Sequence, residues 1–237
     1  MMNSRKKMEN LFVVGTDTGV GKTVLSLLLM QFFCSRGYDP FYLKPVQTGC
    51  KDPYDSESDA KFIYRHVGQC KDKDPADSVI YCFKNPKAPL FAARDEGTMI
   101  DLSVIENAVV EKARFFSPLI IEGAGGVLVP VVEHTFVADL SLVTHAAPVI
   151  AARAGLGTIN HTLLTIEALT GRGLKPLGIV FIDAGEKETP LEMVMENKSA
   201  IEEASGVKVV GIIGRIRNFF KPPRNCYLPL EKMFVSP

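Results

Sequence analysis

Leu11-Phe12-Val13-Val14-Gly15-Thr16-Asp17-Thr18-Gly19-Val20-Gly21-Lys22-Thr23 is the stretch that decides the fold. Four consecutive apolar residues predict a short strand buried on both faces. A Gly/Thr-rich turn follows, and an apolar-periodic helix opens at about Lys22. Strand, glycine turn and helix in that order build a phosphate cradle. Backbone N–H groups of Thr18, Gly19, Val20 and Gly21 surround the anion, and the helix adds the positive end of its dipole. In such a P-loop Lys22 reaches the β- and γ-phosphates, and the Thr23 hydroxyl ligates Mg²⁺. The spacing departs from G-x-x-x-x-G-K-[ST] by one residue, because Gly15 stands one place early and Thr16 takes the first glycine's position. The competing reading is a glycine-rich turn that binds nothing. Against it, strand, turn and helix all fall where phosphate binding needs them.

The chain has 237 residues, 46% of them apolar, and a formal net charge of zero. That length suits one large α/β domain or two small ones, with material for a sizeable core. Balanced charge argues against a nucleic acid or a polybasic membrane contact as the main partner. No apolar run approaches the length of a membrane span, and the polar, basic Met1 to Asn10 does not resemble a leader, so a cytoplasmic protein is expected. The five cysteines (Cys34, Cys50, Cys70, Cys82 and Cys226) show no C-x-x-C pair. They read as reduced thiols outside any metal site, with Cys50 in a loop where it could be exposed.

From Val24 to Phe33 the first helix is apolar nearly all round, as a helix buried against a sheet must be, and Gly37 stops it. Phe41-Tyr42-Leu43-Lys44-Pro45-Val46 is a second strand, and its lysine is either a snorkelling edge residue or a site residue. After a polar loop, Ser58 is the expected N-cap of a helix running to about His66. Asp59 in its first turn is a helix-dipole partner unless a metal recruits it. A short strand at Val79–Phe83 and an extended crossing segment at Asn85-Pro86-Lys87-Ala88-Pro89 follow. A helix is then expected over Ser103 to Phe116. Leu119-Ile120-Ile121-Glu122-Gly123-Ala124-Gly125-Gly126 is the second strong signal. A strand that ends in an acid and a glycine turn presents a carboxylate to Mg²⁺ beside a P-loop, or else caps a turn. Further strands are expected at Pro148–Ala152, Leu177–Ile182 and Val209–Ile213, with helices from about Thr158 to Gly171 and Leu191 to Ala204. The glycines of Gly155-Leu156-Gly157 make the first of these helix starts a second candidate anion site. Strands alternate with helices and no repeat recurs. The expectation is one doubly wound, mostly parallel α/β domain of P-loop type over 1–237, with helices on both faces, a disordered tail at 1–9 and an irregular tail at 214–237.

With those segments in view, the chain resembles the dethiobiotin synthase family. The resemblance rests on the P-loop, on Lys44-Pro45-Val46-Gln47-Thr48-Gly49, on Ser58-Asp59-Ala60, on Glu122 to Gly126 and on Gly155-Leu156-Gly157-Thr158-Ile159-Asn160-His161. They occur in the family's order, and the lengthened P-loop is itself the family form. The resemblance implies an ATP- and Mg²⁺-dependent cyclising ligase of biotin biosynthesis, acting on 7,8-diaminopelargonic acid and CO₂. It implies that Lys22 and Lys44 are the catalytic cations and that Thr23, Asp59 and Glu122 hold Mg²⁺. Thr18, Lys44, Thr48 and Gly125 would meet the substrate. Leu156, Gly157 and Thr158 would bind its distal carboxylate from the other subunit of a homodimer.

Beyond about residue 175 the pattern departs from the family. Ile182 stands where members commonly carry an Asn that reads the base, Gly214 near a usual Pro, and Leu90 in place of a His. Asp183 is then the nearest polar candidate for the base. Two rivals belong to other classes. A partner-regulated ATPase of the ParA/MinD type usually carries a lysine where Asp17 stands. A non-catalytic P-loop module has no reason to keep both lysines and all three metal-ligand candidates.

Overall fold

In the computed structural model, which describes residues 7–185 and 187–235, every residue of strand β1 (Leu11–Gly15) is buried. The P-loop leads from it into α1 (Lys22–Ser35), followed by β2 (Phe41–Thr48), α2 (Asp59–His66), β3 (Val79–Phe83), α3 (Pro89–Asp95) and α4 (Leu102–Lys112). β4 (Leu119–Gly126), the small strands β5 (Pro130–Val132) and β6 (Thr135–Phe136), and α5 (Val137–Val143) come next. The second half alternates regularly through β7 (Ala147–Arg153), α6 (Thr158–Thr170), β8 (Gly178–Ile182), α7 (Leu191–Ser205) and β9 (Val209–Ile213), and closes with α8 (Leu228–Phe234).

Seven strands form one sheet in the order β3-β2-β4-β1-β7-β8-β9, all parallel, while β5 and β6 pair antiparallel beside it. The chain runs from β1 outward to β2 and β3, returns to β4, and then fills the other side of β1. The order therefore reverses about β1, and ligands of such sheets bind over the carboxyl ends at that point. Alternation along β1 feeds two cores. Leu11 and Val13 pack with α1 and α2 on one face; Phe12 and Val14 pack with α4 to α7 on the other. Lys44 stands on an interior strand, which removes the snorkelling-edge reading.

The sequence reading needs correction at several places. The segment 214–237 is not irregular throughout: Arg224–Tyr227 form a turn of 3-10 helix and α8 follows. Leu230 is fully buried, the Phe234 ring lies 5.2 Å from that of Phe33, and Tyr227 donates to Gln31 Oε1 at 2.7 Å. The apolar back of α1 requires this cover, and Pro229 fits because the first helical turn has no N–H to lose there. Pro89, expected to end an extended crossing, opens α3 in the same way. The helix expected to Phe116 stops at Lys112, and α5 arises where no helix was read. Of the expected N-terminal tail, residues 1–6 lie outside the described residues, while the Met8 N–H donates to Ser117 Oγ at 2.9 Å. Cys50 is buried, not exposed, and burial pushes its thiol up to about 11. All five cysteines carry free thiols. Among the described residues no helix is long and apolar enough to cross a membrane.

Candidate active site at the carboxyl ends of the strands

The parallel strands end together, and the loops that leave them enclose a cavity of about 820 Å³. Thr18, Gly19, Val20, Gly21, Lys22, Thr23, Lys44, Thr48, Asp59, Glu122, Gly125, Leu156 and Asp183 all line it. Gly157 and Thr158 do not.

The P-loop geometry explains the early glycine. Lys22 Nζ folds back and donates to the Asp17 carbonyl at 2.9 Å. A Cβ at Gly15 would stand 2.9 Å from that nitrogen and 2.8 Å from that carbonyl, so only glycine leaves room. Gly21, at φ 93°, adopts the left-handed conformation that turns the chain into α1. Lys22 is 7% exposed. Burial, then the nearby Lys44 charge, lowers its pKa to about 8.

A denser cluster lies across β1, on the β4 side. Thr23 Oγ1 lies 2.8 Å from Asp59 Oδ1 and 2.9 Å from Glu122 Oε1. A hydroxyl has one proton, so it donates to one carboxylate at a time. Lys44 Nζ, 4% exposed, sits 2.7 Å from Asp59 Oδ2 and 2.9 Å from Glu122 Oε1. It donates further to the Gly123 carbonyl at 3.2 Å. Burial alone would lower the Lys44 pKa, but Asp59 and Glu122 together hold it above the usual lysine value. Burial would likewise raise Asp59, and Lys44 and Thr23 bring it below the usual carboxylate value. Asp59 is delivered by α2, whose N-cap Ser58 accepts from the Lys61 N–H. The Asp59 N–H itself donates to Gln47 Oε1 at 3.2 Å.

Glu122, 1% exposed, has two further partners that sequence reasoning missed. Ser26 Oγ and Tyr42 OH donate to its Oε2 at 2.8 and 3.0 Å. The signal was available. Tyr42 lies two residues before Lys44 on an extended strand, hence on the same face, and Ser26 lies one helical turn after Lys22. Burial, then the Glu122 charge, pushes the Tyr42 phenol well above its ordinary value, so it stays a donor. One hydroxyl with two carboxylates each within 3 Å of it, all hard oxygens, fits a small divalent cation.

At the β8 end the picture differs. Ile182 lies against the P-loop: a Cβ at Gly21 would meet its Cγ2 at 2.7 Å. Asp183, read as the base contact, has both oxygens engaged within its own loop. They accept from the Thr189 N–H at 2.7 Å and the Thr189 hydroxyl at 3.1 Å. Thr158 stands at the start of α6. It is buried, and its hydroxyl donates to the Arg153 carbonyl at 2.6 Å, tying the start of α6 to the end of β7. Leu156 and Gly157, by contrast, are exposed.

The comparisons agree with this architecture. A family model described as an AAA domain matches residues 9–222. The ATP-dependent dethiobiotin synthetase BioD of Anaeromyxobacter sp. (strain Fw109-5) is 35% identical over 218 residues, covering 92% of this chain and 95% of that protein. The protein of the same name from Hydrogenobaculum sp. (strain Y04AAS1) is 39% identical over 172 residues, 72% of this chain and 75% of its own length. That of Bacillus thuringiensis (strain Al Hakam) is 36% identical over 208 residues, 87% and 83%. Among solved structures, apo McdA from Cyanothece superposes with a TM-score of 0.58 at 12% identity, covering 95% of this chain and 98% of that one. MinD in the MinC:MinD complex of Aquifex aeolicus gives 0.57 at 11%, covering 89% and 82%. At such identities these two show the fold alone.

Proposed function

The chain belongs to the ATP-dependent dethiobiotin synthetase family, and from that premise we propose that it closes the cyclic urea of dethiobiotin from 7,8-diaminopelargonic acid and CO₂, driven by MgATP. That it is an ATP-dependent ligase of biotin biosynthesis follows from the family itself. The substrates, the metal and the residue roles are the proposal. One substrate amine adds to CO₂ and loses a proton, giving a carbamate. A carbamate oxygen attacks the γ-phosphorus, ADP leaves, and a carbamic-phosphoric anhydride results. The second amine attacks the carbonyl carbon, phosphate departs, and the ring closes with loss of a proton.

Carbamate and amine are already nucleophiles, so the protein has to place them and balance charge on the moving phosphoryl group. Lys44 is the observation that carries the reading: a buried ammonium within β2, held by Asp59 and Glu122 beside the P-loop lysine. Lys44 and Lys22 would flank the γ-phosphate and carbamate. Thr23, Asp59 and Glu122 would hold Mg²⁺, which when bound adds positive charge against the β- and γ-phosphates. Thr18, Thr48 and Gly125 would position the amines and carbamate.

Leu156, Gly157 and the Thr158 backbone would receive the distal carboxylate from the opposite subunit of a cytoplasmic homodimer. Balanced charge supports small-molecule partners, with neither nucleic acid nor membrane.

Phosphate release by purified protein tests the reading. It should require diaminopelargonic acid and bicarbonate together and match dethiobiotin formation one to one by mass spectrometry. Hydrolysis that ignores the diamine would overturn it. Mixing Lys44→Ala with Gly157→Asp subunits tests the shared site; a Cβ at Gly157 meets nothing within 4 Å, but its φ of 86° is strained for a side chain, so the second variant is first checked for an unchanged fold by its melting temperature. Heterodimers carry one intact site, and random exchange should restore roughly a quarter of wild-type activity. No recovery after verified exchange would place each site within one chain.

A further inference from the structure

We propose that Arg153 is a nucleotide-binding residue, its guanidinium engaging the α- and β-phosphates from the β7 side of the P-loop. This deepens the function proposed above and rests on triphosphate binding at that loop. Arg153 ends β7 and stands in register with Ile182 of β8. Alternation along β7 sends Val149 and Ala151 into the core under α1, so Arg153 emerges on the same face, which is the P-loop face. Ile182 beside it presses on Gly21. The guanidinium thus stands over the outer flank of the loop, with Nη2 donating to the Thr18 carbonyl at 3.4 Å and lying 3.9 Å from Asp17 Oδ2.

The direction of the ligand follows from the strand order. Lys44, Glu122 and Asp59 mark the γ end, and two of them stand on β2 and β4. β4 and β7 flank β1 on opposite sides. A triphosphate laid along the loop with its γ group at Glu122 therefore carries its α and β groups toward β7.

Arg153 is also the less committed cation. Lys22 is spent on Asp17 O, and Lys44 on two carboxylates. The Arg153 side chain is 60% exposed and its nearest carboxylate is a long, wet contact of little worth. Its root is fixed, however. Thr158 Oγ1 holds the Arg153 carbonyl at 2.6 Å, and Asn197 Nδ2 holds those of Ala154 and Gly155 at 2.8 and 3.4 Å. A planar fork on a rigid base can exchange a single carbonyl contact for a bidentate phosphate contact.

Calorimetric titration of the full chain with MgADP and MgATP tests this, comparing wild type with Arg153→Gln and Arg153→Lys. Arg153→Gln should bind both nucleotides about tenfold more weakly, as loss of one charged, partly wet contact predicts, and Arg153→Lys, which keeps the charge but not the planar fork, should recover only part of that loss. In turnover the nucleotide KM should rise with kcat held within about threefold, because non-transferred phosphates are held alike in ground and transition states. Unchanged melting temperatures confirm folding, as expected for an exposed side chain. Equal ADP affinity in Arg153→Gln and wild type overturns the inference, as does a loss confined to ATP, which would move the contact to the γ-phosphate. Failure of the wild type to bind nucleotide would instead overturn the function on which the inference rests.

Discussion

The two flanks of β1 treat polar groups in opposite ways. Toward β4 and β2, four side chains reach Glu122 at 2.8 to 3.0 Å, and that carboxylate, Lys44 and Tyr42 are buried. Toward β7 and β8, Arg153 makes contacts of 3.4 and 3.9 Å in solvent, Asp183 is tied to its own loop, and an isoleucine faces the P-loop. The first flank is organised before any ligand arrives, in a setting of low dielectric where fixed charges count most. In the proposed function, the second would hold what does not react. Rearranging dipoles during a chemical step slows it, whereas a binding contact can form as the ligand settles. On this view lesions in the β4 flank should cost turnover, and lesions in the β8 flank should cost affinity or selectivity.

Lys44→Ala breaks that contrast most severely. Loss of one charge facing developing anion in a dry site should cost on the order of 10²–10³ in kcat, with MgADP affinity held within about fivefold. It also leaves Asp59 and Glu122 without their cation, and an unpaired buried charge costs about 3–5 kcal/mol. The metal-free variant should therefore melt earlier than wild type, and Mg²⁺ should recover part of the difference. Turnover within about threefold of wild type would remove Lys44 from the chemistry.

Tyr42→Phe is subtler, because it leaves every residue of the first reading in place. Without the phenol, Ser26 is the one side-chain donor left to Glu122 Oε2 among the described residues. Groups that orient a metal-binding carboxylate are typically worth 10–100-fold in metal affinity or activity. The variant should need roughly that much more Mg²⁺ for half-maximal turnover, with kcat at saturating Mg²⁺ recovering. An unchanged Mg²⁺ requirement would mean that Thr23, Ser26 and Lys44 suffice to fix Glu122.

Tyr42 also marks where sequence stopped being legible. Lys44 was visible because a charge interrupts an apolar strand, and Glu122 because an acid and glycines end one. Tyr42 reads as core by composition, and only three-dimensional proximity to Glu122 makes it polar machinery. Thr158 shows the converse: the glycines before it make its helix start read as an anion site, and only the structure shows its hydroxyl tying α6 to β7. Pro89 and Pro229 were ambiguous for a backbone reason, since the same fixed φ suits an extended segment and a first helical turn. The β-α alternation, in contrast, follows from hydrophobic periodicity, which fixed the parallel sheet without any knowledge of contacts.

Lys22 sharpens the comparison through pH. Its folded-state pKa is about 8, below the 10.5 of an ordinary lysine, because of burial first and Lys44 second. Between those values the unfolded chain holds more protons, so this group's contribution to stability rises with pH across the window. A bound phosphate reverses the cause by supplying opposite charge, and binding should then take up a proton. Affinity for MgADP should fall above about pH 8, by at most about tenfold per unit. Calorimetry in two buffers of different ionisation enthalpy should find uptake near zero at about pH 7 and near one at about pH 9. Flat affinity across that range would show that Lys22 stays charged without ligand.

The smallest effect expected lies in the choice of nucleotide, and it probes the β8 flank. Large selectivity ratios come from buried hydrogen-bonding groups that the wrong ligand leaves unpaired, not from apolar contact. Ile182 offers only apolar contact, and its side chain is already packed on Gly21. Asp183 could accept from an exocyclic amine, but both its oxygens are taken by Thr189, and freeing one would cost part of that loop's order. Asn197 is no substitute, because its amide holds the Ala154 and Gly155 carbonyls. Apart from Lys187, which also lines the cavity, what remains for a base is backbone and hydrocarbon, while the P-loop and Mg²⁺ meet a triphosphate common to every nucleotide. ATP should therefore support turnover with CTP and GTP within roughly tenfold at saturation. Initial rates with the triphosphates at equal free Mg²⁺ decide the matter. A preference for ATP above about a hundredfold would mean that the 183–189 loop rearranges on binding and that Asp183 gives up Thr189 to read the base.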